Sequence, residues 1–194
     1  LVFYGMPWLE WGQRQAVLFD LGARRFYIFG LVLYPQDFIY LTGILVISAL
    51  SLFLFTAVAG RLWCGYACPQ TVYTEIFLWL EKKTEGDRSA RMRRDAGPWN
   101  ADKLGRKALK HFLWLAVALW TGFTFVGYFT PIHELGREFV QMNMSSWETF
   151  WTLFYGFATY GNAGFMREQV CKYMCPYARF QSAMFDKDTL IVTY

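Results

Sequence analysis

Charge is what this sequence has least of. Asp, Glu, Lys and Arg supply 18% of the residues, while apolar side chains supply 55% and aromatics 21%, a balance unlike that of a soluble domain. Cysteine occurs four times and histidine twice, so a soft-ligand site has few residues to draw on. There is no nucleophile triad, phosphate-binding loop or zinc-protease helix, which removes the enzymes defined by those motifs. No low-complexity tract is present. No methionine opens the chain and no basic stretch leads it, so a signal peptide is not expected; the natural start is expected to lie upstream.

The charge that is present is unevenly spread. Phe38–Gly60 runs 23 residues without a charge, His111–Ile132 runs 22 with only His111 titratable, and Thr149–Met166 runs 18 uncharged. A helix crossing a bilayer needs about 20 apolar residues, whereas a buried helix of a soluble protein usually has about 10–14 in a row. Leu1–Trp11 reads as the end of another span, with Trp8 and Trp11 at the level of an interfacial aromatic belt. The fold expected is an all-α integral membrane protein with spans at about 1–11, 38–60, 111–132 and 149–166, the first one truncated.

Lys and Arg set the orientation. Residues 61–110 hold eleven basic side chains and residues 131–146 hold one, Arg137. The positive-inside rule places the 61–110 loop in the cytoplasm and the 12–36 and 131–146 segments in the periplasm, with 167–194 inside by alternation. The net charge of +4 is thus a topology signal, and nucleic acid is not an expected partner. Residues 12–36 alternate as a short outer β-hairpin would. Residues 84–106, charged and holding Gly86, Gly97, Pro98 and Gly105, read as a mobile inner loop.

All four cysteines fall in two C-x-x-x-C-P motifs. A shift of 107 residues lays Cys64, Tyr66, Cys68 and Pro69 on Cys171, Tyr173, Cys175 and Pro176. Each copy follows a span running inward, so two parallel repeats, 1–83 and 107–186, are expected about an axis along the membrane normal, with their cysteines close together. Proline pushes the residue before it out of the α region and suits the first position of a helix. Each motif therefore reads as a turn followed by an interfacial amphipathic helix, Pro69–Lys83 and Pro176–Phe185, whose positive N-terminus favours thiolate.

A reducing cytoplasm disfavours structural disulfides, which leaves thiolate metal ligation or redox chemistry. Two thiolates suit Cu(I); four suit zinc or an iron–sulfur cluster. The candidate metal ligands are Cys64, Cys68, Cys171 and Cys175, with Met174 a weaker thioether candidate and Pro69 and Pro176 structural. His111 and His133 read as interfacial, Met142 and Met144 as packed or lipid-facing, and Arg24 and Arg25 as solvated or snorkelling arginines rather than a site for an anion or quinone headgroup.

Arg61–Trp79 (RLWCGYACPQTVYTEIFLW), Gly122–Pro131 (GFTFVGYFTP) and Tyr155–Val192, together with Phe19–Gly30 and Tyr34–Thr42, closely resemble the CcoG/RdxA/FixG family of bacterial accessory proteins for cbb-type heme–copper oxidases, which is related to the membrane polyferredoxins NapH and NosR. The resemblance implies a multi-pass protein of the bacterial inner membrane that reduces Cu(II) to Cu(I) for oxidase assembly. It carries the membrane cysteine pairs onto Cys64, Cys68, Cys171 and Cys175. It also implies a cytoplasmic ferredoxin-type domain with two 4Fe-4S clusters and an immunoglobulin-like domain, both expected to be absent from this chain because no C-x-x-C-x-x-C pattern occurs before Tyr194.

The function expected is cupric reduction with copper at the cysteines. A quinol dehydrogenase of the polyferredoxin type and a non-catalytic Cu(I) chaperone or assembly scaffold are the alternatives. The partners expected are the lipid bilayer, copper-handling proteins, oxidase assembly factors and a second copy of the chain.

Overall fold

The computed structural model describes residues 2–184 apart from 13, 61 and 99. Ten helices are described: α1 Val2–Gly5, α2 Phe38–Ala59, α3 Leu62–Tyr66, α4 Pro69–Glu85, α5 Arg88–Ala96, α6 Ala101–Val126, α7 Ile132–Val140, α8 Ser146–Gly164, α9 Arg167–Gln169 and α10 Pro176–Met184. Five short strands precede α2: β1 Glu10–Trp11, β2 Arg14–Gln15, β3 Val17–Asp20, β4 Arg25–Ile28 and β5 Leu31–Leu33.

Two of the described helices are long and apolar enough to cross a membrane, Pro35–Ala59 and Ala101–Val126. The first is apolar around its whole circumference, and of its residues only Thr56 is buried. A helix apolar on every side needs an apolar surrounding. The other two expected spans differ. Helix α1 ends at Gly5, because Pro7 forces a short 3-10 turn before strand β1, so residues 9–11 are not helical. Helix α8 has 19 residues, with Thr, Gly, Asn and Tyr among its apolar side chains, and is less apolar than the longest apolar stretches of those two. Helix α6 begins ten residues before the expected boundary and stops at Val126, where Gly127–Pro131 turn the chain into α7.

The chain divides into two compact units, Leu1–Ile44 with Val117–Ala158, and Leu45–Ala116 with Thr159–Tyr194. In the first unit the expected outer hairpin is a three-stranded antiparallel meander with Phe19, Phe26 and Leu33 in one cross-strand row. Asp20 closes its first turn by accepting the Ala23 N–H at 2.8 Å. The sheet is tied down through Gln15. Its amide nitrogen donates to the Gly127 carbonyl at 2.8 Å, and its amide oxygen accepts the Ile132 N–H at 3.1 Å. Helices α6 and α8 approach closely at Gly122, where a Cβ would run into the Thr152 carbonyl, so only glycine fits.

In the second unit the segment expected as a mobile loop is helical. Asp87 precedes α5, and the Lys103 ammonium donates to the Asp95 and Gly97 carbonyls, both at 3.0 Å, which satisfies the end of α5. Lys107–Asp95 at 2.9 Å and Lys110–Glu85 at 3.0 Å fix α6 against α5 and α4. Helix α4 buries the stripe Phe77, Leu80, Glu81, Thr84 and Glu85 at helical spacing.

Candidate metal centre

The two cysteine turns are built alike. Cys68 precedes Pro69 with φ −65° and ψ 124°, and Cys175 precedes Pro176 with φ −84° and ψ 110°. Both are extended, as a following proline demands, and both prolines open helices, α4 and α10. Each turn is closed by a five-residue backbone bond at the same repeat position. The Cys68 N–H donates to the Trp63 carbonyl at 3.0 Å, and the Cys175 N–H donates to the Val170 carbonyl at 2.9 Å. Shifting 63 and 68 by 107 gives 170 and 175. The sequence repeat is therefore a repeat of local backbone geometry, with the second copy wound as a π-helix over Val170–Met174.

The surroundings differ. Cys64, Cys68 and Cys175 are half-buried, whereas Cys171 is exposed. The Cys64 thiol donates to the Gln181 amide oxygen at 3.6 Å, and the Thr71 hydroxyl donates to the Cys64 carbonyl at 2.7 Å. Although Cys171 is exposed, partial desolvation pushes its thiol up from its ordinary value, and the nearby Cys68 and Cys175 sulfurs add to the rise. Met174 is 65% exposed.

The His133 Nε2 lies 3.0 Å from the Glu10 carboxylate, edge-on to Trp8. His111 Nδ1 shares a hydrogen bond of 2.9 Å with the Tyr160 hydroxyl, among Trp114 and Phe165. Met142 is exposed, and Met144 packs on the cluster of Phe123, Val126, Ile132 and Leu135. Arg25 lies over the Tyr34 ring, and Arg24 occupies a turn with φ 52°.

Several residues of the site carried no signal in sequence. Glu81, only 4% exposed, is paired with both Arg91 and Arg167. Burial alone would raise its carboxyl, but the hydrogen bonds and charges of Arg167 and then Arg91 outweigh it and hold the carboxyl below the usual range. Gln70 donates to the Asn162 carbonyl at 3.0 Å, and Gln181 donates to the Gly60 carbonyl at 3.0 Å. Each looks in sequence like a routine polar residue of an amphipathic helix. Gln181 is set apart by its burial at 3% exposure, and the half-buried Gln70 by its two carbonyl partners.

A family described as "4Fe-4S binding domain" matches residues 41–85, and one described as "4Fe-4S dicluster domain" matches residues 166–194. Cluster-binding families therefore match inside this chain, on the two cysteine segments. This overturns the expectation that such domains lie wholly outside it, and makes iron–sulfur the supported cofactor class. A 4Fe-4S cluster takes four thiolates, and each matched stretch holds two cysteines. Among the described residues no group of three or more His, Cys, Asp or Glu is arranged to hold a metal ion. Neither stretch by itself fits a complete cluster.

Nitrogen fixation protein FixG of Rhizobium meliloti is 44% identical over 200 residues, covering all of this chain and 38% of the relative. Protein RdxA of Cereibacter sphaeroides is 43% identical over 195 residues, covering 97% of this chain and 41% of the relative. Protein RdxB of the same organism is 42% identical over 200 residues, covering all of this chain and 42% of the relative. No solved structure matches the chain. The chain thus spans about two fifths of the length of these relatives, and over that length it belongs to the FixG/RdxA family.

Proposed function

We propose that this chain is the membrane part of an electron-transfer protein that reduces Cu(II) to Cu(I) for a cbb-type heme–copper oxidase, with copper held at Cys64, Cys68, Cys171 and Cys175. In this reading it is a multi-pass protein of the bacterial inner membrane, arranged as two parallel repeats with the cysteine turns on the cytoplasmic side. The observation that carries it is the repeated turn itself: two thiol pairs, each fixed by the same five-residue bond and the same Cys-Pro geometry. Copper is the substrate here: each Cu(II) takes up one electron, which in this reading would be supplied by a reduced 4Fe-4S cluster of the full-length protein, the cofactor class of the two matching families. Soft thiolate sulfur binds Cu(I) better than Cu(II), so coordination at the cysteines raises the copper potential and favours the reduced ion.

The test is a single-turnover experiment on the full-length protein in lipid nanodiscs. The protein is reduced, freed of reductant, and mixed anaerobically with Cu(II), and Cu(I) is read with a chromogenic chelator. Cu(I) yield should fall to the uncatalysed level when Cys64 and Cys171 are both changed to Ser. Tight Cu(I) binding without reduction would leave a chaperone or scaffold. Reduction of the protein by a quinol analogue, with no copper reduction, would make it a quinol dehydrogenase.

A further inference from the structure

The first unit holds two cavities that the cysteine chemistry does not use. The larger, about 480 Å³, lies beside the β-meander. Alternation puts Phe19, Phe26, Ile28 and Leu33 on one face of the sheet, and Phe38 and Leu41 from the first turns of α2 complete the wall. Its volume falls within the about 300–1,000 Å³ typical of ligand sites, and walls this apolar favour hydrocarbon over water. Two charged side chains line it, Arg24 and Asp37. Asp37 is committed, its carboxylate accepting the Tyr34 N–H at 3.1 Å. Asp20, in the same turn as Arg24, accepts the Ala23 N–H and stands opposite Arg25. Arg24 has no ion-pair partner among the described residues.

The smaller cavity, about 190 Å³, is an aromatic box. Trp147, Trp151 and Tyr155 recur every fourth residue and so share one face of α8, and Phe125 and Phe129 face them across the cavity. The Phe125 and Tyr155 ring centroids are 3.9 Å apart, and those of Trp151 and Tyr155 are 5.7 Å apart. Among the described residues Glu148 is the one charged side chain that lines the box. Its carboxylate accepts the Ser145 N–H at 3.2 Å, and its charge pushes the neighbouring Glu138 carboxyl up from its ordinary value. Negative charge is thus in excess beside ring faces that themselves attract cations. Leu21 lines both cavities, and Arg24 follows it in the same turn.

We propose that the two cavities together hold one zwitterionic phospholipid, with an acyl chain against the meander, the phosphate on Arg24 and the headgroup ammonium in the aromatic box beside Glu148. Charge complementarity selects this occupant. A guanidinium forks onto phosphate oxygens, and aromatic faces with a carboxylate take an ammonium. An uncharged quinone would leave both charges unanswered, and an anionic lipid would bring no cation to the box. The inference rests on the reading of the chain as membrane-embedded and is independent of copper at the cysteines.

The test uses the full-length protein in detergent micelles doped with phosphatidylethanolamine, phosphatidylcholine, phosphatidylglycerol of the same chains, or ubiquinone. Native mass spectrometry counts the lipid retained. The wild type should retain one zwitterionic lipid and bind phosphatidylglycerol roughly tenfold more weakly. Arg24→Asn and Glu148→Gln should each weaken retention roughly tenfold. Both changes spare the fold: asparagine tolerates the φ of 52° at position 24, and glutamine keeps an acceptor for the Ser145 N–H. Arg137→Gln, on α7 and outside both cavities, should change nothing, and an equal loss there overturns the proposal. So do equal retention of all the phospholipids, tighter binding of phosphatidylglycerol, and ubiquinone retained in place of phospholipid. Full-length protein that stays monodisperse with neither detergent nor lipid sinks the membrane reading itself; protein that needs them and fails to discriminate sinks this inference alone.

Discussion

The two cysteine turns share a backbone and differ in what holds them. The first is fastened on several sides: Thr71 donates to the Cys64 carbonyl, Gln181 meets its sulfur, and Trp63 receives the N–H groups of both Ala67 and Cys68 at 3.0 Å. The second is wound as a π-helix and leaves Cys171, Tyr173 and Met174 exposed. Its anchor is Arg167, whose side chain reaches Glu81 on α4. The first turn is thus held on several sides, whereas the second leaves its first cysteine exposed. π-type windings of this kind recur at functional sites.

Removing the shared anchor should have the largest effect. Glu81→Leu leaves Arg167 and Arg91 without their buried partner and should cost about 3 kcal/mol, because an uncompensated charge stays behind. Thermal unfolding of the purified protein would show it, and an unchanged midpoint would mean that Arg167 does not depend on Glu81. The same pair sets a pH dependence. The Glu81 carboxyl is held below its ordinary value, so its stabilisation is fully present above the usual carboxylate range and is lost as pH falls through the lowered folded value. Unfolding scans of the wild type and Glu81→Gln should therefore converge at acid pH.

Smaller changes separate the two turns. Pro69→Ala and Pro176→Ala should each cost about 0.5–1 kcal/mol, since proline restricts the unfolded chain and is preset for the first helical position. Equal losses in chemical denaturation would support equivalent turns, whereas a larger loss at Pro69 would mark the first as the more rigid. Thr71→Val removes a hydrogen bond that the second turn lacks, because Ala178 stands at the matching position. It should cost about 1 kcal/mol, and Ala178→Thr should be nearly neutral. Hydrogen exchange at Cys68 and Cys175 would resolve the two.

Much of this was legible locally. The Cys-Pro steps demanded extended cysteines and new helices at Pro69 and Pro176, and both are found. The uncharged run from Phe38 to Gly60 became α2 almost residue for residue. Alternation in 17–33 gave strands, although the third strand was missed because Leu31–Leu33 is too short to show a period. The stretch 84–106 misled for a physical reason. Its charges, glycines and proline are loop signals in isolation, but Lys103, Lys107 and Arg91 find partners on neighbouring helices that turn the charges into staples.

Sequence alone determined the chemistry available to this protein: four thiols in two matched Cys-Pro turns, and apolar runs long enough for a bilayer. Those follow from local rules, the fixed φ of proline and the rise of a helix. Tertiary structure decided which cysteine is held and which is exposed, that Glu81 and Gln181 are buried, and which carbonyls Gln70 reaches. Those outcomes depend on backbone groups more than ninety residues away from Gln70 and Gln181, where no local pattern reaches.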